Sequence, residues 1–473
     1  MGSKERTTAE QRWVLSLASI GAVMVALDAL VVAAALGTVK EELGASIEQL
    51  EWAVNAYTLS FAMLLLIAAA LGERWGRRRI FAAGLGVFSA ASAGCALAPS
   101  IQWLIAARAA QGVGAAAVMP LAMSLLGAAF PPERRGWATG VFSGLSGLGV
   151  LGGPVVGGAV TEGLAWQWIF WINVPVGAVA IWLVLLRIGE SSGTARRLDP
   201  AGAALVSLAV LGLVWGVVRG EPAGWGSAEV LGAFLAGGLL LAAFWVWENH
   251  APQPMVPPAF FRSRAFSAGN AAGFFLTAAL FGAVFFMAQY LQVAFGAGPL
   301  EAGLRLLPWT ATLFVVAPVA GRLVDRVGER PLIVTGLGLK AVGMWWIGQA
   351  AGGSVRYAEL VVPLVVAGCG VSMALPATQS ATVGALPREA VGIASGVYGM
   401  TRQLGGAVGV AVLGAVFAAA GGYGDFTTGF GRALTVCALL SLLGALAGLA
   451  VGRGAAAPSG APAARPGRVG VRR

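Results

Sequence analysis

The chain has 473 residues, of which 58% are hydrophobic and 11% charged, with a formal net charge of +10. A soluble domain carries about 25% charged residues, so this composition excludes an ordinary soluble enzyme, a disordered protein and a secreted disulfide scaffold. What remains is a protein whose main solvent is lipid.

A helix crosses the hydrocarbon core with about 20 apolar residues at about 1.5 Å each. In chain order, such runs are predicted at roughly 13–37, 50–71, 80–98, 101–124, 137–160, 168–188, 201–219, 230–247, 265–293, 304–324, 331–350, 358–380, 391–419 and 433–452. That makes an all-α integral membrane protein of fourteen spans, with loops too short for a soluble domain. The first run is too long for a cleaved leader and contains Asp28. The stretch 454–473 is rich in Ala, Pro and Gly and basic, so it is expected to be disordered or to lie on anionic lipid. Cys95, Cys369 and Cys437 sit in apolar runs and read as small buried hydrophobes, with no metal site.

Lys and Arg fall unevenly in alternate loops. One side collects about 23 of them, while the other has only Lys40, Arg219, Arg305, Arg356 and Arg432. Both termini are therefore expected in the cytoplasm of a cell-membrane protein. The positive charge is scattered over many loops and forms no stripe, so nucleic acid is not an expected partner. Trp166, Trp168 and Trp171 read as interfacial anchors.

Two segments recur. Leu71-Gly72-Glu73-Arg74-Trp75-Gly76-Arg77-Arg78-Arg79 is matched by Leu323-Val324-Asp325-Arg326-Val327-Gly328-Glu329-Arg330. Gly136-Trp137-Ala138-Thr139-Gly140-Val141-Phe142 is matched by Gly392-Ile393-Ala394-Ser395-Gly396-Val397-Tyr398. The offsets are about 252 and 256 residues, which agree within loop variation. The expected plan is a cytoplasmic N-terminus (1–12), a six-helix bundle (13–190), a two-helix insertion (191–250), a second six-helix bundle (251–452) and a disordered basic cytoplasmic tail (453–473). Two pseudo-symmetric bundles of this kind frame a transport site near the midplane.

Four motifs carry a family resemblance. They are Ala69-Ala70-Leu71-Gly72-Glu73-Arg74-Trp75-Gly76-Arg77-Arg78 between helices 2 and 3, and Arg108-Ala109-Ala110-Gln111-Gly112-Val113-Gly114 in helix 4. Helix 5 adds Gly149, Gly153, Pro154, Gly157 and Gly158, and helix 1 adds Leu27-Asp28-Ala29-Leu30-Val31-Val32. Over about residues 12–452 the chain resembles the major facilitator superfamily, and within it the fourteen-helix drug:proton antiporters. It departs from the usual pattern at Ala69 (commonly Gly), Glu73 (commonly Asp) and Ala29 (commonly Thr or Ser).

An acid deep in a span must face water or a partner. By residue count, Asp28 and Arg108 each lie roughly 4–6 Å outward of the midplane. The resemblance implies that helices 1 and 4 line the central cavity, which makes Asp28 and Arg108 the proton-coupling pair. The alternative is a static pair tying two helices together. The resemblance also implies that Gly149, Gly153, Pro154, Gly157 and Gly158 bring helix 5 close to its neighbour in the other half and seal the cavity. Glu73, Arg74, Gly76, Arg77 and Arg78, with Asp325 and Arg326 in the second copy, are expected to form a cytoplasmic charge gate; topology anchoring by positive charge is the plainer reading.

Candidate substrate-cavity residues are Asn55, Tyr57, Gln111, Asn270, Gln289, Tyr290, Gln292, Gln379 and Arg402. A mostly apolar pocket with sparse polar groups suits lipophilic ligands; interhelical hydrogen bonding explains each residue equally well. Arg402 either meets anionic or carbonyl groups of a substrate or satisfies carbonyls of a neighbouring helix. Lys340, mid-span in a peripheral helix, is expected to have a structural partner.

No GxxxxGK[ST] loop is present, and the single histidine, His250, is predicted in a cytoplasmic loop. No cofactor, metal or enzymatic role is therefore expected, and the driving energy must come from an ion gradient. The expected function is proton-coupled export of a lipophilic small molecule by a monomer in the bilayer, with protons as the second cargo. Cations outnumber acids in the interior, which favours neutral or anionic substrates over dications. The alternatives are transport of a specific metabolite or natural product, or a membrane sensor without transport.

Overall fold

The computed structural model describes residues 8–192, 199–351, 356–387, 390–422 and 424–452. The expected tail, Arg196, Arg197 and Arg388 lie outside these residues. Every regular element described is helical. In chain order these are α1 Ala9–Leu43, α2 Ile47–Trp75, α3 Arg77–Ala96, α4 Ile101–Ala129, α5 Pro132–Gly163, α6 Trp168–Trp171, α7 Asn173–Arg187, α8 Pro200–Ala223 and α9 Ala228–His250. They continue as α10 Arg264–Phe295, α11 Pro299–Arg305, α12 Leu307–Thr310, α13 Thr312–Val327, α14 Glu329–Ala350, α15 Tyr357–Gly384, α16 Val391–Ala419 and α17 Phe426–Leu449. Helix is what hydrocarbon demands, because each backbone donor and acceptor must be satisfied within the segment.

Among the described residues, 13 helical segments are long and apolar enough to cross a membrane, so the chain is a multi-pass membrane protein. The predicted run 137–160 lies in α5, a helix of 32 residues that is not among them. Two predicted spans are broken. The run 168–188 is split at Ile172, where Pro175 offers no N–H to the carbonyl of Trp171. The run 304–324 is split at Leu306 and Ala311, and Pro308 likewise removes the donor that would reach Leu304. His250 closes α9 and does not lie in a loop.

α1 to α5 and α7 pack on one another, as do α10 and α13 to α17. The first set meets the second along α5 against α13 and α2 against α16. Both contacts are glycine-tight: a Cβ on Gly140 would lie 2.6 Å from the Ala317 carbonyl oxygen and 2.9 Å from Gly321 Cα. α8 and α9 form a hairpin whose first helix packs on both α2 and α16. Ser207 donates to the Met63 carbonyl (2.8 Å), and Trp52 meets Trp215 at 5.0 Å. α9 exposes Leu231, Leu235 and Leu239, the side chains a lipid face requires.

Trp166 is not an interfacial anchor. It is fully buried against Phe170, and its indole N–H donates to Glu42 (2.8 Å). Trp168 is exposed.

Candidate functional site

Asp28 sits on α1 and Arg108 on α4, and both side chains are wholly buried. Arg108 Nη1 donates to Asp28 Oδ2 and, at 2.7 Å, to Gln111 Oε1. Gln111 Nε2 donates to Asp28 Oδ1 (2.7 Å) and to Ser92 Oγ of α3 (2.7 Å). Asn173 Nδ2 of α7 donates to Asp28 Oδ1 (3.2 Å). Arg108 Nε donates to the Ala53 carbonyl of α2 (3.2 Å), and its guanidinium lies 4.3 Å from the Tyr57 ring centroid. Five helices therefore converge on one ion pair. A buried pair survives in low dielectric only when its remaining lone pairs and protons are used in this way. One position is left over, since Arg108 Nη2 has no partner.

The pair is wholly buried, and its hydrogen-bond partners all lie in the first set of helices. Tyr57 and Gln111, expected in a substrate cavity, belong to this cluster; the Tyr57 hydroxyl donates to the Val25 carbonyl (3.2 Å). Ser92, Asn173 and the Ala53 carbonyl were not singled out from sequence. Asn173, the one amide in the apolar stretch Trp168–Leu186, was the available signal.

Gly149 explains how α1 is held here. A Cβ there would lie 2.7 Å from the Val23 carbonyl oxygen and 3.0 Å from Leu27 N, so the glycine admits α1 one turn before Asp28. At Gly149 the helix 5 motif therefore meets α1 of its own half and not the other half as expected. Gly136, Gly140, Gly144 and Gly147 of α5 lie against α13 of the other half. Gly153 and Gly157 are buried; the side-chain surroundings of Pro154 and Gly158 lie outside the described set.

The two repeated segments interlock at one end of the helices, the end expected to be cytoplasmic. Asp325, at the end of α13, accepts from the backbone N–H of Gly136 (3.0 Å) and of Trp137 (3.2 Å) in α5. Glu73, the matching acid at the end of α2, is pressed against Gly392 in the first turn of α16. Each acid thus docks on the glycine that opens the fifth helix of the opposite half. Glu73 is also gripped by Arg77, with Nε at 2.9 Å and Nη2 at 2.8 Å. Gly76 (φ +106°) and its counterpart Gly328 (φ +81°) make the turns, in a region where an L side chain is strained.

The expected gate needs two corrections. Arg74 and Arg326 are exposed and hold neither of the two acids of the seal. Arg78 pairs not with Glu73 but with Glu190, whose carboxylate accepts from the Arg78 backbone N–H (3.0 Å) and lies 3.6 Å from the side chains of both Arg78 and Arg79. Helical phase explains Arg74, because one residue after Glu73 lies about 100° around the helix. Arg77→Ala would strand Glu73 in a buried site. The expected loss is about 3–5 kcal/mol, read as a lower unfolding temperature of the detergent-solubilised protein, with Arg74→Ala nearly silent.

The remaining cavity candidates scatter. Gln379 on α15 is buried and accepts from Ser143 of α5 (3.2 Å), beside a cavity of about 30 Å³ between α4, α5 and α15. Asn270 donates to the Phe266 carbonyl of its own helix (2.9 Å). Tyr290 stacks on Phe430 at 4.2 Å inside the second set of helices, Gln292 is exposed, and Asn55 and Gln289 are half-buried. Lys340 is buried and donates to the Leu276 carbonyl (2.9 Å). Among the described residues no group of His, Cys, Asp and Glu is placed to hold a metal ion.

The family model of the Major Facilitator Superfamily matches residues 18–261 and 269–472. The chain is 34% identical over 402 residues to the tetracenomycin C resistance and export protein of Streptomyces glaucescens, covering 85% of this chain and 74% of that one. It is 35% identical over 398 residues to the methylenomycin A resistance protein of Streptomyces coelicolor (84% and 83%), and 34% identical over 403 residues to the multidrug resistance protein Stp of Mycobacterium tuberculosis (85% and 74%). Among solved structures, the proton:xylose symporter XylE superposes with a TM-score of 0.69 at 14% identity, over 93% of this chain and 95% of that one. A human organic anion transporter gives 0.68 at 14%, over 93% and 99%. Sequence relatives and fold agree, and the chain belongs to the Major Facilitator Superfamily.

Proposed function

We propose that the protein exports lipophilic small molecules across the cell membrane by alternating access, driven by proton entry. The observation that carries the coupling is the Asp28–Arg108 pair, enclosed in an apolar bundle with α1, α2, α3, α4 and α7 all bonded to it or packed on it. The names of the sequence relatives support the cargo class. The uneven distribution of Lys and Arg supports cytoplasmic termini, and α5 is the fourteenth crossing. One chain supplies both halves of the fold, so a monomer suffices.

Asp28 and Arg108 together are neutral when Asp28 is ionised. A proton on Asp28 leaves the guanidinium as a lone buried cation, held by the Ala53 carbonyl and the Tyr57 face. The two protonation states therefore favour different placements of α1 and α4. α5 is locked to α1 through Gly149 and to α13 through Gly140, so a shift of α1 reaches the seal between the halves. The proton thus acts on the bundle and not by direct competition for the substrate's position.

A second reading, export of a single natural product, is favoured by relatives named for one antibiotic each. Growth inhibition of an expressing strain across a compound panel separates the two readings. Resistance to several unrelated lipophiles, lost when the proton gradient is collapsed, supports broad export, and resistance to one compound supports the narrow reading. Unchanged sensitivity throughout would reject both.

A further inference from the structure

Three cations, Arg108, Lys340 and Arg402, lie deep within the spans, and two are accounted for: Arg108 is paired with Asp28, and Lys340 is bonded to the Leu276 carbonyl. Arg402 on α16 is different. Among the described residues its guanidinium makes no hydrogen bond and no ion pair, and its Nε is shielded from solvent with no partner. Its one neighbour of note is the ring of Tyr398, 5.6 Å from the centroid. Tyr398 is itself fixed, with its hydroxyl 2.8 Å from Thr378 Oγ1 on α15.

The position of Arg402 on the helix is informative. It lies about 16 Å from the start of α16, close to the midpoint. Its face falls between Gly396 and Gly399, which lie on Ala69 and Leu65 of α2, and Gly405 and Gly409, which lie on Phe274 and Ala278 of α10. The side chain is therefore directed between a helix of one half and a helix of the other, and it remains partly accessible. The Ser143–Gln379 contact of the seal lies next to Thr378, on the cytoplasmic side of it.

An unpaired guanidinium in this setting is costly, and a ligand that carries an anion offsets the cost. We propose that Arg402, laid on the face of Tyr398, is the anion anchor of the substrate site. The preferred cargo is a lipophilic molecule with an ionised carboxylate, phenolate or enolate. The flat guanidinium matches such groups in a two-pronged manner, and the ring holds its plane while leaving its edge free. This inference rests on the export reading, and it narrows the substrate class.

The test is equilibrium binding to the purified full-length protein in lipid nanodiscs, with no proton gradient. The probes are lipophilic acids, each paired with a neutral mate: 2-hydroxy-1,4-naphthoquinone with its methyl ether, and 2-naphthoic acid and 9-anthroic acid with their methyl esters. Wild type is expected to bind at least one acid about tenfold or more tighter than its mate. Arg402→Gln should bring that ratio close to one without changing affinity for the neutral mate, and Arg402→Lys should restore part of it. The proposal is overturned if no acid is preferred, if the Gln variant keeps the preference, or if it weakens acid and mate alike. Because binding is read without a gradient, a failure of gradient-driven export registers separately.

Discussion

Asp28→Asn abolishes export against a gradient in proteoliposomes while substrate binding is retained. The side chain keeps its size and can still accept from Arg108, but it no longer exchanges a charge with a proton. Arg108 is then permanently unpaired in a site where it, Gln111 and Asn173 are arranged around the Asp28 carboxylate. Accumulation driven by an imposed pH gradient should fall to the level of empty vesicles, and equilibrating exchange of substrate should persist. Arg108→Ala is more severe, because it leaves the carboxylate buried without its cation, at a cost of about 3–5 kcal/mol in stability. Full uphill transport by Asp28→Asn would reject the coupling role.

Gly140→Val opens the cytoplasmic end. A side chain there meets the Ala317 carbonyl oxygen and the backbone of Gly321 in α13, with no flexible side chain among these neighbours to displace. Overpacking of this kind costs about 1–3 kcal/mol, and the cost falls only on the state in which α5 and α13 touch. The population should move toward the state open to the cytoplasm by roughly 5- to 150-fold. Thr139 is buried in that seal. A Thr139→Cys reporter in a Cys369→Ala background should therefore label faster with an impermeant maleimide applied from the cytoplasmic face. Unchanged labelling would mean that the glycine contact does not hold the seal.

The long apolar runs, the repeat and the acid in α1 were legible because hydrocarbon tolerates so few alternatives. An Asp or Arg inside a span is rare enough to be noticed, and matched offsets identified Glu73 with Asp325 and Gly136 with Gly392. The crosswise docking of those four residues was present in the same offsets but needs the relative placement of the two halves, which pattern does not carry. Ser92 and Asn173 were missed because a lone hydroxyl or amide in a helix is usually bonded locally, as Asn270 is. Glu190 lies after the end of α7, where no periodicity points to its partners. Gly149 was assigned to the wrong neighbour because a glycine run marks close approach without saying which helix approaches. Trp166 was read as an anchor because only the structure reveals Glu42 waiting for its N–H.

The account turns on whether the carboxylate in α1 exchanges protons in response to substrate. The most direct measurement is the proton stoichiometry of binding: the purified protein in weakly buffered detergent is mixed with a compound found by the growth screen, and the pH change is recorded. The account predicts proton release by wild type and none by Asp28→Asn at equal saturation. Equal release by both proteins would contradict it.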